Sequence, residues 1–500
     1  MDSIGSKRYS SRVWGVIVML CLVGGCQPLP ETTTGRNGRI DDGRANGTPF
    51  ALDGRFDDWD RDQVAAHDAD YFYVRLRFER ARLLQETPRR LIIHGRDGRH
   101  RVAYDFGRGK GVVSPAPGQI TEIGHDDLRL VKAPTVAARE FELAIDRHAP
   151  SFPQTDCVDW LVAPIDDAAS RRQGRAEPAR PADLPAGASR YCFDSSATRP
   201  QSTSRSLPPK TPQALRLVSW NVEKDKIVAD PSVAIYERLL ATLDADLWVF
   251  QELYESDANA VRSVVVAAMG GRWYAEKTGR DLVVVSRYPI RASRCVAFCD
   301  DFGSVGAYWL DTEPVFGTAT VVVNAHPPCC TGRDPDRDRL RQQAVDETIA
   351  FLREARQGRI DDFPMKASTA LIVAGDMNFV GSPAQLATLR SGAIHDVATY
   401  GPAFAPDGDG TALLDSWPQH LSGPYFYTWR HDASRFAPGR LDFVLYGDAV
   451  LDAVEAFVFD TSALAPTDLE PFDLQATDTA TASDHHPVVV DFRARQSTAP

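Results

Sequence analysis

The second half of the chain alternates short apolar runs with helical patterns. The apolar runs predict seven strands, at residues 214–223, 246–252, 281–288, 318–327, 369–378, 440–447 and 487–492. Apolar residues at helical spacing predict helices over 231–243 and 338–356. This order of elements predicts a four-layer α/β sandwich, with two β-layers lying between helices.

The first half shows strand patterns without a competing helical period. The runs YFYVRLRF (71–78) and REFELAID (139–146) alternate apolar and polar residues, and the stretch 89–106 predicts a hairpin around Asp97-Gly98. Residues 48–194 are therefore predicted to form an all-β sandwich that precedes the α/β domain.

Two boundaries separate the predicted domains. Residues 195–212, SSATRPQSTSRSLPPKTP, are rich in Ser, Thr and Pro and are typical of a linker. The α/β domain is then expected to span residues 213–493.

The N-terminus has the pattern of a targeting segment. Three basic residues precede an apolar run at residues 13–23, which is short for a membrane-spanning helix and typical of a signal peptide. The run ends in LVGGC, which resembles a bacterial lipobox and implies lipidation of Cys26. Residues 1–26 would then be a lipoprotein signal and 27–47 a flexible tether; a plain secretory signal with a chance cysteine is the alternative.

Such an anchor implies a place in the bacterial cell envelope, exocytoplasmic and facing the periplasm or the cell surface. Outside the signal the chain has six cysteines: Cys157, Cys192, Cys295, Cys299, Cys329 and Cys330. An even number in this compartment predicts disulfides. The first two are expected to pair, and each member of the adjacent pair is expected to bridge to Cys295 or Cys299. A zinc site of the four downstream cysteines is the alternative, although an adjacent pair lacks the usual ligand spacing.

Composition excludes few functions. The chain has 500 residues, 43% of them hydrophobic and 25% charged, which is ordinary for globular domains. Its formal net charge of −12 argues against a protein that coats nucleic acid through a basic surface. It leaves open an enzyme that meets phosphates through a bound metal.

Polar side chains with catalytic chemistry follow the predicted strands. The nine positions are Asn221, Glu223, Glu252, His326, Asp376, Asn378, Asp442, Asp484 and His485. Each alone has an ordinary structural explanation. Active groups of layered α/β folds collect at strand ends, however, and nine such groups predict one active site.

The motifs around these positions closely resemble a known superfamily. WNVE, FQE, NAHP, GDMN, RLDFVL and SDHHP are similar to the signatures of the endonuclease/exonuclease/phosphatase superfamily, over residues of about 213–493. The resemblance implies a DNase-I-like fold and metal-dependent phosphodiesterase or phosphomonoesterase activity. It implies Mg²⁺ as the cofactor, with Mn²⁺ or Ca²⁺ as alternatives, and a nucleic acid or a phospholipid as the phosphoester substrate. A monomer is expected.

The resemblance assigns the metal and the phosphate to one group of residues. Glu252 matches the principal metal-binding glutamate, and Asp484 matches a further metal-binding acid. Glu223 and Asn221 match the pair that helps to hold the metal and positions the phosphate. Carboxylate oxygens suit a hard divalent cation.

The resemblance assigns proton transfer to a second group. His485 matches the general base, and Asp442 matches the carboxylate that orients it. Asp376 and Asn378 match the residues that align the attacking water. His326 matches the donor to a phosphate oxygen.

Three functional hypotheses remain open from the sequence. The first is a surface-anchored, metal-dependent nuclease or phosphodiesterase. The second is a sphingomyelinase-like phospholipid phosphodiesterase, for which an exposed hydrophobic hairpin is expected. The third is a non-catalytic surface-binding protein that keeps the fold. The segments 327–338 and 450–480 are candidates to cover the site and set its substrate.

The predicted sandwich carries a resemblance of its own. LDGRFDDWD and DADYFYVRLRF resemble the opening of family 9 carbohydrate-binding modules. This resemblance implies a carbohydrate ligand, with Trp59 as a stacking platform. A tryptophan of the sandwich core is the favoured interpretation of this position.

Overall fold

The computed structural model describes residues 50–165, 187–193, 206–300, 303–329, 335–421 and 423–495. Cys26, the tether 27–47, Cys330 and most of the linker at 195–212 lie outside the described residues. Within the described ranges, no helix is both long enough and apolar enough to cross a bilayer.

Ten strands form two antiparallel sheets in the first half of the described chain. They are β1 Ala65–His67, β2 Tyr71–Arg82, β3 Arg89–Gly95, β4 Arg101–Asp105, β5 Lys110–Ser114, β6 Thr121–Ile123, β7 Val131–Ala133, β8 Ala138–Asp146, β9 Cys157–Pro164 and β10 Ser189–Cys192. Sheet A has the order β1-β2-β8-β7, and sheet B has the order β10-β9-β3-β4-β5-β6. The predicted β-sandwich is confirmed.

Strict alternation builds this sandwich. On β2, Phe72, Val74 and Leu76 point into the core between the two sheets, and Leu143 of the paired strand β8 joins them. The hairpin between β3 and β4 turns at Gly98, whose φ of 65° is a left-handed conformation that glycine adopts without a steric penalty.

Trp59 is a core residue. Its side chain is only 6% exposed, and its indole Nε1 donates a hydrogen bond to Glu142 Oε2 at 3.1 Å. The favoured interpretation of Trp59 as a core residue is therefore confirmed, and a ring buried in this way offers no face to a ligand.

The disulfides correct one predicted pairing and confirm another. Cys157 pairs with Cys192, as expected, across β9 and β10. Cys295 pairs with Cys299, so the prediction that each bridges to Cys329 or Cys330 is wrong. The chain turns through a left-handed residue at position 298, which brings the two Cα atoms within 5.6 Å, a normal disulfide separation. Cys329 is also disulfide-bonded, so the alternative zinc site does not form.

The second half contains thirteen described strands and eight described helices. The strands are β11 Leu215–Asn221, β12 Leu247–Gln251, β13 Tyr274–Thr278, β14 Leu282–Ser286, β15 Ile290–Ala297, β16 Val305–Leu310, β17 Thr320–Ala325, β18 Ala370–Asp376, β19 Leu414–Asp415, β20 Gln419–His420, β21 Asp442–Tyr446, β22 Leu451–Val458 and β23 Val488–Ala494. The helices are α1 Val233–Leu243, α2 Ala258–Met269, α3 Glu313–Phe316, α4 Pro335–Arg356, α5 Ala384–Ser391, α6 Val397–Tyr400, α7 Pro466–Leu469 and α8 Asp478–Ala482.

These elements form the predicted four layers. Sheet C has the order β13-β14-β12-β11-β23-β22-β20, and sheet D has the order β15-β16-β17-β18-β21-β19. One apolar core lies between the two sheets. A second core packs α1 and α2 on the outer face of sheet C, and a third packs α4 and α5 on the outer face of sheet D.

The sandwich and the four-layer half share contacts. Tyr427 packs into a small core with Leu52 and Tyr73 of the first half. Backbone hydrogen bonds also join Leu52 N to Pro424 O at 2.7 Å and Ala137 N to the Gly381 carbonyl at 2.8 Å. The described residues of the two halves accordingly belong to one compact unit.

Candidate active site

Strand periodicity carries polar groups to the face between sheets C and D. On β11, Leu215 and Leu217 face sheet D, whereas Trp220 faces the helices. Asn221 is the next residue on the inter-sheet side, because side chains alternate along a strand. Asp376 holds the same position at the end of β18, where apolar packing gives way to an open edge.

A cavity of about 540 Å³ lies at this edge and gathers the predicted residues. Seven of the nine line it directly: Glu223, Glu252, His326, Asp376, Asn378, Asp484 and His485. The other two, Asn221 and Asp442, lie behind the wall and hydrogen-bond to residues that line it. The structure therefore brings all nine positions together.

His485 and Asp442 form a buried pair. The His485 Nδ1 lies 2.8 Å from Asp442 Oδ2, which leaves the Nε2 toward the cavity. Because an ionised carboxylate only accepts hydrogen bonds, Nδ1 carries the proton. Burial alone would lower the pKa of His485, but the charges of Asp442 and Asp376 outweigh it and raise the pKa to about 10.

Asp376 lies between two histidines. Its Oδ2 is 3.6 Å from His485 Nε2 and 3.5 Å from His326 Nε2, and it accepts a hydrogen bond from Asn221 Nδ2 at 3.1 Å. Its Oδ1 accepts from the Asn378 backbone N–H at 3.2 Å. Burial raises the pKa of Asp376, and the two histidines offset part of that rise.

His326 has its own carboxylate partner, Asp281, at the start of β14. The His326 Nδ1 lies 2.5 Å from Asp281 Oδ2, and both side chains are buried. Burial lowers the pKa of His326, yet the hydrogen bond and charge of Asp281, with the charge of Asp376, raise it to about 9. The cavity thus contains two histidines, each fixed at Nδ1 by a different aspartate.

Glu252 belongs to a group of carboxylates that line the cavity and could bind a metal through their oxygens. Its Oε1 accepts from Asn221 Nδ2 at 3.1 Å, and its Oε2 accepts from the Lys224 backbone N–H at 3.0 Å. Each oxygen therefore retains a lone pair for another ligand. Glu223 and Asp484 line the same cavity, and Glu223 Oε2 accepts from the Asp484 backbone N–H at 3.2 Å.

These carboxylates fit a divalent metal better than the buried His485 pair does. One ligand atom each of Asp376, Asp442 and His485 lies within 4.8 Å of the others. In that group the facing atoms of His485 and Asp442 already bond to each other. The group around Glu252 offers hard oxygen donors on the cavity wall, which is the ligand chemistry that Mg²⁺ prefers.

Backbone strain marks the same positions. Three of these residues have positive φ values: 46° at Glu223, 64° at Glu252 and 50° at Asn378. They lie in the left-handed region, which residues other than glycine seldom adopt. Each such residue costs about 1 kcal/mol or more, and such strain concentrates at functional sites. The strain is consistent with side chains held for chemistry rather than for packing.

Several functional neighbours had no role in the sequence-based prediction. Asp281 orients His326, and Trp429 Nε1 donates to Asp484 Oδ2 at 3.0 Å. Asp281 directly precedes an apolar run, so its strand-end position was a usable signal. Trp429 lies in irregular structure and carried no such signal. Four residues of the β-sandwich also line the cavity: Gln85, Glu86, Lys132 and Thr135.

Comparison with known families agrees with this geometry. Residues 218–485, more than half of the chain, match the model of the Endonuclease/Exonuclease/phosphatase family. The chain belongs to this family. As a member of the Endonuclease/Exonuclease/phosphatase family with the DNase-I-like fold in its second half, it is a phosphoester hydrolase.

Solved structures give similarities at low identity. Humanized D. rerio TDP2 is 15% identical, with 56% of this chain and 99% of that chain covered and a TM-score of 0.35. The human nocturnin catalytic domain with bound sulfate is 16% identical, with 57% and 97% covered and a TM-score of 0.35. ANGEL2, described as a 2′,3′-cyclic phosphatase, is 13% identical, with 57% and 96% covered and a TM-score of 0.38. No curated protein sequence matches the chain significantly.

Proposed function

We propose that this family member is a Mg²⁺-dependent phosphodiesterase that acts on a small phosphodiester or on the end of a single strand. The observation that carries the proposal is the pair of histidines, His485 and His326, each bonded at Nδ1 to an aspartate and each directing Nε2 toward Asp376. One histidine can take the proton of the attacking water while the other donates a hydrogen bond to a phosphate oxygen, and phosphodiester hydrolysis needs both of these roles.

His485 is the proposed general base. Asp442 accepts from Nδ1 and fixes the tautomer, so that Nε2 is free to take the proton of the attacking water. Asp376 and Asn378, on the same wall, hold that water in line with the phosphorus.

His326 and Asn378 are the proposed donors to the phosphate. The Nε2 of protonated His326 donates to a non-bridging oxygen, where negative charge increases in the transition state. Asn378 Nδ2 is held by the Pro327 carbonyl at 3.2 Å, which fixes the orientation of its amide. Preorganised donors of this kind are worth several kcal/mol in a site that excludes water.

Glu252, Glu223 and Asp484 are the proposed ligands of Mg²⁺. When bound there, the ion neutralises charge on the phosphate oxygens. The carboxylates fit because the Trp429 indole N–H and the backbone amides orient them, while no ion pair in the described residues neutralises Glu252 or Asp484. Mn²⁺ and Ca²⁺ are the alternative ions.

The size and lining of the cavity favour a substrate small enough to fit inside it. A volume of about 540 Å³ suits a molecule of drug-like size. Apolar walls at Trp429, Phe436 and Leu441 offer a nucleoside base or another apolar group a surface for stacking. These features favour a small phosphodiester or a strand end over an internal bond of duplex DNA.

A phospholipid phosphodiesterase remains the second candidate with weaker support. Among the described residues, the large hydrophobic side chains that are exposed are Val64, Ile120, Val266, Val397, Val454 and Phe472. This group includes one aromatic residue, so the described residues offer little of the exposed aromatic hairpin that insertion into a lipid surface requires.

The test compares wild type with His485→Ala, with His395→Ala at an exposed histidine as the matched control. Bis-p-nitrophenyl phosphate, single-stranded DNA, duplex DNA and sphingomyelin are assayed with Mg²⁺, Mn²⁺, Ca²⁺ or EDTA. We expect Mg²⁺-dependent turnover that falls about 10³-fold in His485→Ala, because the base is lost, and stays unchanged in His395→Ala.

Two results would redirect the assignment. Turnover of sphingomyelin alone would select the lipid phosphodiesterase. A protein that binds Mg²⁺ but hydrolyses none of the four substrates would support the non-catalytic surface-binding hypothesis.

We also propose that the protein is a lipid-anchored monomer of the bacterial cell envelope, exposed outside the cytoplasm. The support is the LVGGC motif ending at Cys26, together with cysteines that form disulfides. Full-length protein expressed in a bacterium is expected to enter the detergent phase on Triton X-114 partition, and the Cys26→Ser variant is expected to remain in the aqueous phase. Equal partition of the two proteins would contradict the anchor.

A further inference from the structure

One wall of the catalytic cavity comes from the β-sandwich. Gln85, Glu86, Lys132 and Thr135 line the same cavity as His485 and Glu252. All four precede residue 218, where the match to the family begins. The sandwich is therefore in a position to contact a substrate bound at the catalytic residues.

Lys132 is the unusual member of this wall. It lies at the centre of β7, at the edge of sheet A, and its neighbours Val131 and Ala133 pack into the core shared with Tyr427. Because strand side chains alternate, Lys132 points to the opposite face, with its cross-strand partner Leu143. Its side chain is only 6% exposed and lines the cavity.

The Lys132 ammonium has no protein partner in the described part of the chain. No hydrogen bond and no ion pair joins it to a described residue, and Glu86, which lines the same cavity, lies beyond ion-pair distance. Burial lowers the pKa of Lys132 to about 8, without an opposing contribution from a nearby carboxylate. Burying an ammonium without a partner costs several kcal/mol, so a structural role does not account for it.

Gln85 presents a second unsatisfied polar group on this wall. Its side-chain Oε1 is buried and has no hydrogen-bond partner among the described residues. Buried polar atoms in folded proteins nearly always have a partner, but no hydrogen bond from a described residue to this oxygen holds the amide in its present orientation. An amide can turn to present its N–H₂ to an anion, or its oxygen to a hydroxyl beside it.

The position of Lys132 separates it from the catalytic carboxylates. None of Glu223, Glu252, Asp376 or Asp484 lies within ion-pair distance of its ammonium, although all of them line the cavity. The acidic part suits a metal and the reacting phosphate, whereas the lysine wall suits an additional anionic group.

We propose that Lys132 and Gln85 form a second anion site, in which a phosphate next to the scissile phosphodiester binds. The β-sandwich then selects substrates that carry two phosphates, and the active site is shared between the two halves of the chain. The catalytic consequence rests on the proposed phosphodiesterase activity, but the anion binding itself does not.

Two chromogenic substrates that differ by one phosphate test this site. Thymidine 5′-(p-nitrophenyl phosphate) has only the scissile group, and its 3′-phosphorylated form adds a second phosphate. We expect wild type to have at least about tenfold higher kcat/KM for the 3′-phosphorylated form. In Lys132→Met the kcat/KM for the 3′-phosphorylated substrate is expected to fall about 30-fold, mainly because KM rises. The kcat/KM for the substrate without the 3′-phosphate is expected to stay unchanged.

Lys110→Met is the matched control. Lys110 lies on β5 of the same domain, is exposed, pairs with Glu122 at 2.7 Å and does not line the cavity. This variant is expected to behave as wild type on both substrates. Lys132→Met is expected to melt no lower than wild type, because methionine has a similar length and removes the cost of burying a charge. If it does not fold, Lys132→Gln serves in its place.

The outcomes separate this proposal from the proposed function. An equal loss on both substrates, or no loss on either, would overturn the second anion site. If wild type hydrolyses neither substrate, the phosphodiesterase assignment fails, and calorimetric titration with pyrophosphate and orthophosphate decides the anion site. Tighter binding of pyrophosphate that disappears in Lys132→Met would support it, and equal binding by the two proteins would refute it.

Discussion

Asp281 and Asp442 support two histidines that need opposite protonation states. His485 must be neutral at Nε2 to accept a proton, whereas Asp442 and Asp376 raise its pKa to about 10. The positive charge of an ion held by Glu252 and Asp484 would oppose that rise and favour the neutral ring. His326 must carry a proton at Nε2 to donate, and since its Nδ1–H already faces Asp281, only the protonated ring can do so. The carboxylate of Asp281 keeps that form populated, because it raises the pKa of His326 against the effect of burial.

Removing the charge of Asp281 is expected to change the pH dependence. His326 has a raised pKa of about 9, so its protonated form, and the activity that depends on it, is lost as pH rises through about 9. In Asp281→Asn the pKa of His326 falls, and the alkaline limb of kcat moves to lower pH by about one unit or more. The kcat profile from about pH 6 to about pH 10 measures this shift.

Asp311→Asn is the control for that profile. Asp311 pairs with Arg291 at 2.6 Å and does not line the cavity, so its profile is expected to match wild type. An unshifted alkaline limb in Asp281→Asn would show that His326 does not donate in the rate-limiting step.

Residues at strand ends could be predicted, and residues that depend on distant contacts could not. Asn221 and Asp376 follow apolar runs, so the strand period alone points to them. The role of Asp281 depends on a partner 45 residues away. Lys132 lies within a short strand of another domain, and nothing local in the sequence shows that it faces the catalytic cavity.

At the scale of elements, the fully buried strands could be predicted from the sequence and the less regular elements could not. The seven strands predicted in the second half are all present, because each is rich in apolar residues and buried on both faces. Strand β15 was missed because its exposed and buried residues follow no regular alternation, and helix α2 was missed because its centre is a run of β-branched valines. Whether such a segment forms a strand or a helix depends on its contacts with neighbouring elements, which a single sequence does not reveal.

One of the two segments predicted to cover the active site does not do so. The segment 450–480 was a candidate to cover the cavity, but no described residue of it lines the wall. Its strand β22 pairs with β23, and its apolar residues, Phe459 and Leu464 among them, pack in the core on the outer face of sheet C. The other candidate, 327–338, does line the cavity, with Pro327, Pro328, Cys329 and Arg337. The rest of the described cover comes from the β-sandwich and from the stretch 429–441.

At the scale of the whole molecule, the sandwich and the catalytic half meet around residues 430–440. Arg430 Nη2 donates to Asp126 at 2.5 Å, and the Arg440 backbone N–H donates to Thr135 Oγ1 at 2.9 Å. Ala437 packs into the core of the sandwich, and its neighbour Phe436 lines the catalytic cavity. The stability of the interface and the shape of the cavity are therefore coupled through this stretch.

Two glycines of the sandwich test this coupling as a matched pair. Gly98 and Gly109 both have a φ of 65°, so alanine at either costs about 1 kcal/mol of backbone strain. A Cβ at Gly98 meets no atom within 4 Å, whereas a Cβ at Gly109 would lie 1.7 Å from the carbonyl oxygen of Arg435. Gly109→Ala must therefore also displace the backbone beside Phe436.

We expect Gly98→Ala to lower the free energy of unfolding by about 1 kcal/mol and to leave KM unchanged, since only backbone strain is added. Gly109→Ala is expected to cost about 1 kcal/mol more and to raise KM severalfold, because the cavity wall moves with residues 435–436. Urea unfolding and steady-state kinetics on bis-p-nitrophenyl phosphate measure both effects. Equal stability and equal KM in the two variants would mean that the sandwich does not shape the active site, and the second anion site would then lose its structural basis.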